Sequence, residues 1–202
     1  MTNAWNCPEK YDFKGRFISY WYQIEELLNF NQGPILEIGI GNRFVSDYLK
    51  KRGLNIITLD LDIALKPDCV GSVLHIPFSE EAFSTVAGFE LLEHIPYKDF
   101  SNALKELKQS TQRNVLISLP DVTRIVKFSS FVPRIGEKKI SISLPFIPKR
   151  KHKYDGEHFW EIGKKGYSLK RIINDIQSVG FKILKTYRIF EFHYHRFFIL
   201  SK

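Results

Sequence analysis

Apolar and polar positions along the chain divide it into strands and helices in regular succession. Phe17, Tyr20, Trp21, Ile24, Leu27 and Leu28 recur at helical spacing, which predicts an amphipathic helix over residues 15–30. The apolar run GPILEIGI (33–40) follows as a buried strand. Phe44, Val45, Tyr48 and Leu49 mark a helix that stops near Gly53. LNIITLDL (54–61), CVGSVL (69–74) and FSTVAGF (83–89) read as the second, third and fourth strands. Tyr97, Phe100, Leu104 and Leu107 place a helix at 97–109, and NVLISL (114–119), closed by Pro120, is a fifth strand. Strands that alternate with helices at this spacing predict a parallel sheet covered on both faces.

After Pro120 the pattern breaks. Residues 121–165 carry prolines, basic clusters and aromatics, with one alternating run, ISISLPFI (140–147), which Pro145 confines to an edge or a hairpin arm. Regularity returns with a helix from Ser168, as N-cap, to Gly180. FKILKTYRIF (181–190) and HYHRFFIL (193–200) lie too close together for a crossover helix, so they are expected to end the sheet as an antiparallel pair. The expected fold is α/β: a Rossmann-like three-layer α/β/α sandwich whose seven-stranded, mostly parallel sheet ends in an antiparallel C-terminal hairpin.

The length of 202 residues suits one domain with at most an appendage, and a core that needs no covalent staple. The only cysteines, Cys7 and Cys69, form no CxxC and no metal-ligand spacing. Reduced thiols in a cytoplasm, and no metal site, are therefore expected. The start, MTNAWNCPEKYDF, has no apolar core, so no signal peptide is expected. No run approaches the roughly 18 apolar residues of a transmembrane helix. Charge does change the picture. The chain holds 30 basic and 22 acidic side chains, a net +8. Residues 122–171 hold 13 Lys and Arg against 4 Asp and Glu, so this one segment carries the excess. It suits an anionic partner, or a solvated loop.

The stretch ILEIGIGN (35–42) carries the first candidate chemistry. Gly39 and Gly41 end a strand and let a ligand approach the backbone. A dinucleotide fingerprint needs a third small residue where Phe44 stands, and no GK[ST] follows for a P-loop. Glu37 then becomes informative, because a negative charge there suits an amine or sulfonium and repels a pyrophosphate. Asp60 lies 23 residues further on, at the end of the second strand, where a carboxylate can accept both ribose hydroxyls. Such charge-assisted bonds contribute roughly 1.5–3 kcal/mol. A cationic adenosine without a pyrophosphate is indicated, and S-adenosylmethionine fits. Structural alternatives exist: Asp60 and Asp62 also suit turns, Gly39 and Gly41 a plain strand-to-helix turn, and Tyr20 and Trp21 the core.

The order of motifs resembles the class I S-adenosylmethionine-dependent methyltransferases, in their small-molecule, methyltransferase type 11-like branch. LEIGIGN resembles their glycine-rich motif, TLDLD their ribose-binding acid, and GSVLHIPF the segment that often reads G-D-A-x-x-L-P-F. AGFELLEHIP and NVLISLPD resemble the fourth- and fifth-strand segments. The resemblance covers residues 15–120, the final helix and the hairpin. It implies that Glu37, Gly39 and Gly41, with Ile40 and Asn42 in the same turn, line the methionine end of the cofactor. Asp60 would hold the ribose, Leu61 pack on the adenine, and Ser72 and Val73 border its edge. Phe89 and Glu90 would lie beneath the sulfonium and the amine, and the helix of Tyr20 would cover the ligand. Residues 1–32 would be an N-terminal helical cap, and 33–202 the methyltransferase domain with an acceptor-side insertion at about 122–160. Two positions depart from the pattern. Arg43 replaces the third glycine, where Asn42 could take the turn, and Ser72 replaces the adenine-binding Asp.

Methyl transfer to a hydroxyl needs a proton acceptor. KYDGEHFWEIGKKGY (153–167) gathers Asp155, Glu157, His158 and Glu161 around Phe159 and Trp160, a set that suits a sugar or polar hydroxyl, or a docked surface loop. His158 is the first candidate base and Asp121, just past the fifth strand, the second. His94 is a third, and its place at a helix start also fits packing or capping. The fourth strand ends in GFELLEH, not the [DNS]-P-P-[FY] of adenine methylation, and neither cysteine stands where cytosine-C5 enzymes keep a nucleophile. These absences argue against DNA. The expected activity is methyl transfer, at oxygen, to a small-molecule, anionic or saccharide-like acceptor by a cytoplasmic monomer or homodimer. RNA methylation through the basic 122–171 segment, and a cofactor-binding module without catalysis, are the alternatives.

Overall fold

The computed structural model describes residues 12–144 and 147–202. Cys7, the first eleven residues of the expected cap, and Pro145 and Phe146 lie outside the described residues.

The elements run α1 (Lys14–Asn29), β1 (Ile35–Ile38), α2 (Phe44–Lys51), β2 (Ile56–Asp60), β3 (Cys69–Val70), β4 (Phe83–Phe89), α3 (Phe100–Ser110), β5 (Thr111–Pro120), β6 (Ile125–Val132), β7 (Gly136–Ser143), α4 (Leu169–Ser178), β8 (Lys182–Arg188) and β9 (His195–Ser201). Seven strands form one sheet in the order β3-β2-β1-β4-β5-β9-β8. The first five are parallel, and β9 pairs antiparallel with both β5 and β8. Every residue of β1 and β4 is buried. Their sequences therefore read as continuous apolar runs, as central strands covered on both faces must.

The two faces carry separate cores. On one, Leu36, Val86, Val115 and Ile117 meet Leu104 and Leu107 of α3 and Ile172 and Ile176 of α4. On the other, Ile35, Ala87 and Leu116 meet Tyr20 and Leu27 of α1 and Val45 and Leu49 of α2. The α4 cap is the expected one, since the Ser168 hydroxyl accepts the Arg171 N–H at 3.2 Å.

Several elements differ from the pattern in the sequence. β1 ends at Ile38 because Gly39 turns left-handed at φ 76°. β3 is two residues long, because the Ser72 hydroxyl accepts the Leu74 N–H at 3.1 Å and starts a turn. Trp21 is not core: it is 56% exposed. Trp160, open in the sequence to a flat face for a sugar or to the anchor of a docked loop, is the anchor: it is fully buried against Tyr97 and Phe100 and donates to the Ile95 carbonyl at 3.1 Å. Only one arm of the β6–β7 hairpin was legible, because IVKFSSFV lacks strict alternation. The hairpin stands apart from the main sheet. Lys127 and Lys139 tie one of its faces to Phe190 and Glu191, while Val126, Phe128, Ile140 and Ile142 are exposed on the other. Among the described residues, no helix is long and apolar enough to cross a membrane.

Candidate active site

Strand order reverses between β1 and β4, so their carboxyl ends diverge into a crevice, the place where open α/β sheets bind ligands. Gly39 is required there. It is left-handed, its N–H donates to the Leu59 carbonyl at 3.0 Å, and a Cβ would meet Leu91 Cδ1 at 2.8 Å. Two adjoining cavities share Gly39, Gly41 and Glu90. The larger, of about 280 Å³, also takes Asp60, Leu61, Ser72, Val73 and His94. The smaller, of about 30 Å³, takes Glu37, Ile40, Asn42, Phe89, Tyr20 and Arg16. All twelve residues expected to hold the cofactor therefore line one crevice.

Asp60 accepts the Ile40 N–H through Oδ2 and the Asp62 N–H through Oδ1, both at 2.9 Å. A carboxylate has about four acceptor sites, so these bonds orient it and leave capacity for ribose hydroxyls. Asp62 instead accepts the Ala64 N–H at 2.9 Å and caps the 3-10 turn Ile63–Leu65. Leu61 is 72% exposed and free to cover a base. The turn after Gly41 is made differently from the expectation. Arg43, not Asn42, takes the left-handed conformation, at φ 66°. It is held by its guanidinium, which bonds the Leu65 and Lys66 carbonyls and Asp47. Asn42 accepts the Phe44 N–H at 3.1 Å and donates to Asp12 at 2.8 Å.

The smaller cavity has a buried acidic floor. Burial raises the Glu37 pKa to about 7, against weaker lowering by Ser46 and Lys50, and its Oε2 has no hydrogen-bond partner among the described residues. Burial likewise raises Glu90 to about 8, opposed by Ser118 and Arg16. Glu90 is left-handed at φ 48°, and its N–H donates to the carbonyl and hydroxyl of Ser118, each at 3.1 Å. Its Oε2 lies 3.3 Å from His195 Nε2, and its Oε1 has no partner among the described residues. Burial pushes the His195 pKa well down, so its ring is neutral. Nε2–H then donates to Glu90, and Nδ1 accepts from Ser19 Oγ at 2.7 Å. Nothing in the sequence pointed to this Gln23–Ser19–His195–Glu90 chain, which joins one helix to two distant segments. Orphaned acceptors facing the crevice are what a ligand with a cationic amine requires.

Glu93 and His94 follow on a 3-10 turn, Leu92–His94. Glu93 is fully buried, and burial together with the charge of Glu90 raises its pKa well above the usual range. His94 Nδ1 lies 3.1 Å from the Glu157 carbonyl, and its ring is 5.0 Å from that of His158. His158 Nδ1 lies 3.4 Å from Glu161 Oε1. Burial opposes protonation of His158, but Glu161 and Asp155 outweigh it and raise the pKa. Burial alone would raise Glu161, yet hydrogen bonds with His158, Tyr194 and Lys164 hold it at about 2. His158 thus reaches the crevice through His94, although it lines neither cavity. Asp121 does not join them. It is buried, 2.7 Å from Arg196 Nε and 3.6 Å from Arg188 Nε, and its Oδ1 accepts the Thr123 N–H at 2.9 Å.

Residues 36–119 match the family profile described as a methyltransferase domain. The magnesium protoporphyrin IX methyltransferase ChlM from Synechocystis PCC 6803, with bound SAH, superimposes with a TM-score of 0.62 at 13% identity, over 93% of this chain and 84% of that one. The glycopeptide N-methyltransferase MtfA, complexed with sinefungin, gives 0.58 at 11% identity over 88% and 91%. An S-adenosylmethionine-dependent methyltransferase from Mesorhizobium loti gives 0.61 at 11% over 91% and 98%. No curated protein matches the chain significantly. The fold is that of the class I S-adenosylmethionine-dependent methyltransferases.

Two substitutions test the crevice. Asp60→Ala is expected to weaken cofactor binding roughly 10- to 100-fold, the loss of about 1.5–3 kcal/mol. Asp62→Ala, which removes only a turn cap, should cost far less affinity; equal losses in calorimetric titrations would misplace the ribose site. Glu37 tests the floor. Its folded pKa, about 7, exceeds the ordinary 4.5, so its contribution to stability is complete below pH 4.5 and is lost as pH rises through 7. Glu37→Gln should therefore stabilise the ligand-free chain at pH 8 by on the order of 2–3 kcal/mol, and little at pH 4.5. Urea unfolding at the two pH values measures this, and an equal gain at both would contradict it.

Proposed function

We propose that the chain transfers a methyl group to oxygen in a small, anionic, saccharide-like acceptor. The observation that carries this reading is a cavity of about 220 Å³ beside the carboxyl end of β5, lined by Arg124, Lys149, Arg150 and Lys164. Its wall also includes Val122 and Gly163, next to the bridge that joins Asp121 to Ile162. The loop that brings in Gly163 also carries His158 and Glu161. Four cations and the His158 imidazole thus belong to one segment, which suits an acceptor with a phosphate or carboxylate near a hydroxyl. The segment at about 122–160 is, in this reading, the acceptor-side element of the 33–202 methyltransferase domain, behind the 1–32 cap. We place it in the cytoplasm.

S-adenosylmethionine, when bound, supplies an electrophilic methyl whose C–S electron pair leaves with sulfur. The chain's part is alignment, which supplies much of the acceleration for an activated leaving group. Glu37 and Glu90 receive the cationic end, Asp60 the ribose, and Leu61 the adenine. His158, steadied at Nδ1 by Glu161, is the group nearest the acceptor's proton, with His94 beside it. Asp121 is assigned a structural role, because Arg188 and Arg196 already hold its carboxylate.

RNA is the second reading. The exposed Tyr154 and Phe159 rings, 4.7 Å apart beside the Lys149–Lys153 cluster, combine stacking faces with cations. Incubating lysate fractions with methyl-labelled cofactor, after ribonuclease or glycosidase treatment, separates the two acceptors; no labelled product in any fraction favours a non-catalytic module. Once an acceptor is found, neutralising Lys149, Arg150, Lys151 and Lys153 together should raise its KM on the order of 10-fold or more, in a salt-sensitive way, with cofactor affinity nearly unchanged. An unchanged KM removes the basic cavity from the reading.

A further inference from the structure

Glu93, His94 and His158 converge although nothing in their sequence spacing announces it. One donor atom from each lies within 4.8 Å of the others. Donors around a shared ion with bonds of roughly 2.0–2.2 Å stand about 3–4 Å apart, so the group is within a small side-chain adjustment of a coordination sphere. We propose that these three residues bind one divalent transition-metal ion at the edge of the cofactor crevice. We further infer that the ion binds and activates the acceptor hydroxyl; this second half alone rests on the oxygen-acceptor reading above.

Three independent features carry the site. The first is the orphaned carboxylate. Glu93 is fully buried, and neither of its carboxylate oxygens has a hydrogen-bond partner among the described residues. A buried carboxylate left this way is costly unless a cation or donor completes it. Arg16 acts on both Glu90 and Glu93, but it lines the smaller cavity with Glu37. The second is the set of groups behind the imidazoles. His94 Nδ1 donates to the Glu157 carbonyl, and His158 Nδ1 faces Glu161 Oε1. Glu161 is itself fixed by Tyr194 Oη at 2.5 Å and Lys164 Nζ at 3.2 Å. With the proton held on Nδ1, each ring presents the Nε2 lone pair, which is how outer partners prepare metal-ligating histidines. The third is location. His94 lines the cavity that contains Gly39, Asp60 and Glu90, so an ion on this triad would border the cofactor. Glu90 Oε1, also without a partner among the described residues, stands ready as a fourth ligand or as a partner for bound water.

The donor set selects the ion class. Two imidazoles and one carboxylate suit zinc, manganese, iron or cobalt rather than the all-oxygen spheres of magnesium or calcium. Three protein ligands leave positions open, as catalytic rather than structural sites do. An acceptor hydroxyl occupying such a position is acidified, and its proton leaves to solvent. His158 is then a metal ligand, and the proton acceptor expected from sequence is not needed.

The full chain, stripped with a chelator and titrated with zinc, manganese or cobalt alone, provides the test. Calorimetry with elemental analysis should give one ion per chain for at least one of the three. The cobalt form should show visible absorption characteristic of nitrogen coordination. His94→Ala and His158→Ala should each weaken binding by about 100-fold or more, and Glu93→Gln similarly, while circular dichroism stays near that of the parent in all three and cofactor affinity does so in His158→Ala. No stoichiometric binding, or binding that survives both histidine substitutions, overturns the site. Binding with no effect of chelator on methyl transfer overturns the activating role and leaves the site. Failure of the acceptor reading is distinguished because ion binding is measured with neither acceptor nor cofactor present.

Discussion

The carboxyl ends of β1 and β4 bury carboxylates without giving every oxygen a donor. Glu37 and Glu90, with Glu93 one turn further on, each retain at least one oxygen without a partner among the described residues. Such groups are destabilising unless a cationic ligand or a metal ion completes them. The strand order sets this constraint, because the reversal between β1 and β4 parts the strand ends that carry Glu37 and Glu90. The remaining parts of the crevice follow from it. Gly39 turns away without a Cβ, Asp60 is steadied by two backbone N–H groups, and His195 orients Glu90 from behind.

A second set of contacts brings the irregular segment to that crevice. Asp121 ties the end of β5 to Arg188 of β8 and Arg196 of β9, and Arg188 also donates to the Asp121 and Thr123 carbonyls. Trp160 closes over α3, and the Phe159 N–H donates to the Glu93 carbonyl at 2.8 Å. These bonds fix where His158 and Glu161 sit, although the loop carrying them has little regular secondary structure. This segment is thus positioned by buried anchors, while Lys149, Arg150, Lys151 and Lys153 remain exposed on it.

The sheet was legible in the sequence because its central strands are buried on both faces and so read as apolar runs. The crevice-lining residues were legible because Glu37, Gly39, Gly41 and Asp60 lie at strand ends, where a local pattern and the crevice coincide. What escaped was long-range. His195 meets Ser19 across 176 positions, and His158 meets His94 only because Trp160 anchors the intervening loop. Trp21 left its expected place in the core, and Trp160 took the buried one of its two expected environments, since composition marks an aromatic as apolar without saying which surface it covers. Glu93 had a local signal, a carboxylate three residues after Glu90 and next to His94, but its meaning depends on the distant His158.

Titration calorimetry with S-adenosylmethionine, S-adenosylhomocysteine and NAD tests the central claim, that the acidic crevice selects a cationic adenosine and excludes a pyrophosphate. The account predicts micromolar binding of the first two and no heat with NAD. Binding of NAD, with no heat from either adenosine thioether or sulfonium, would contradict it.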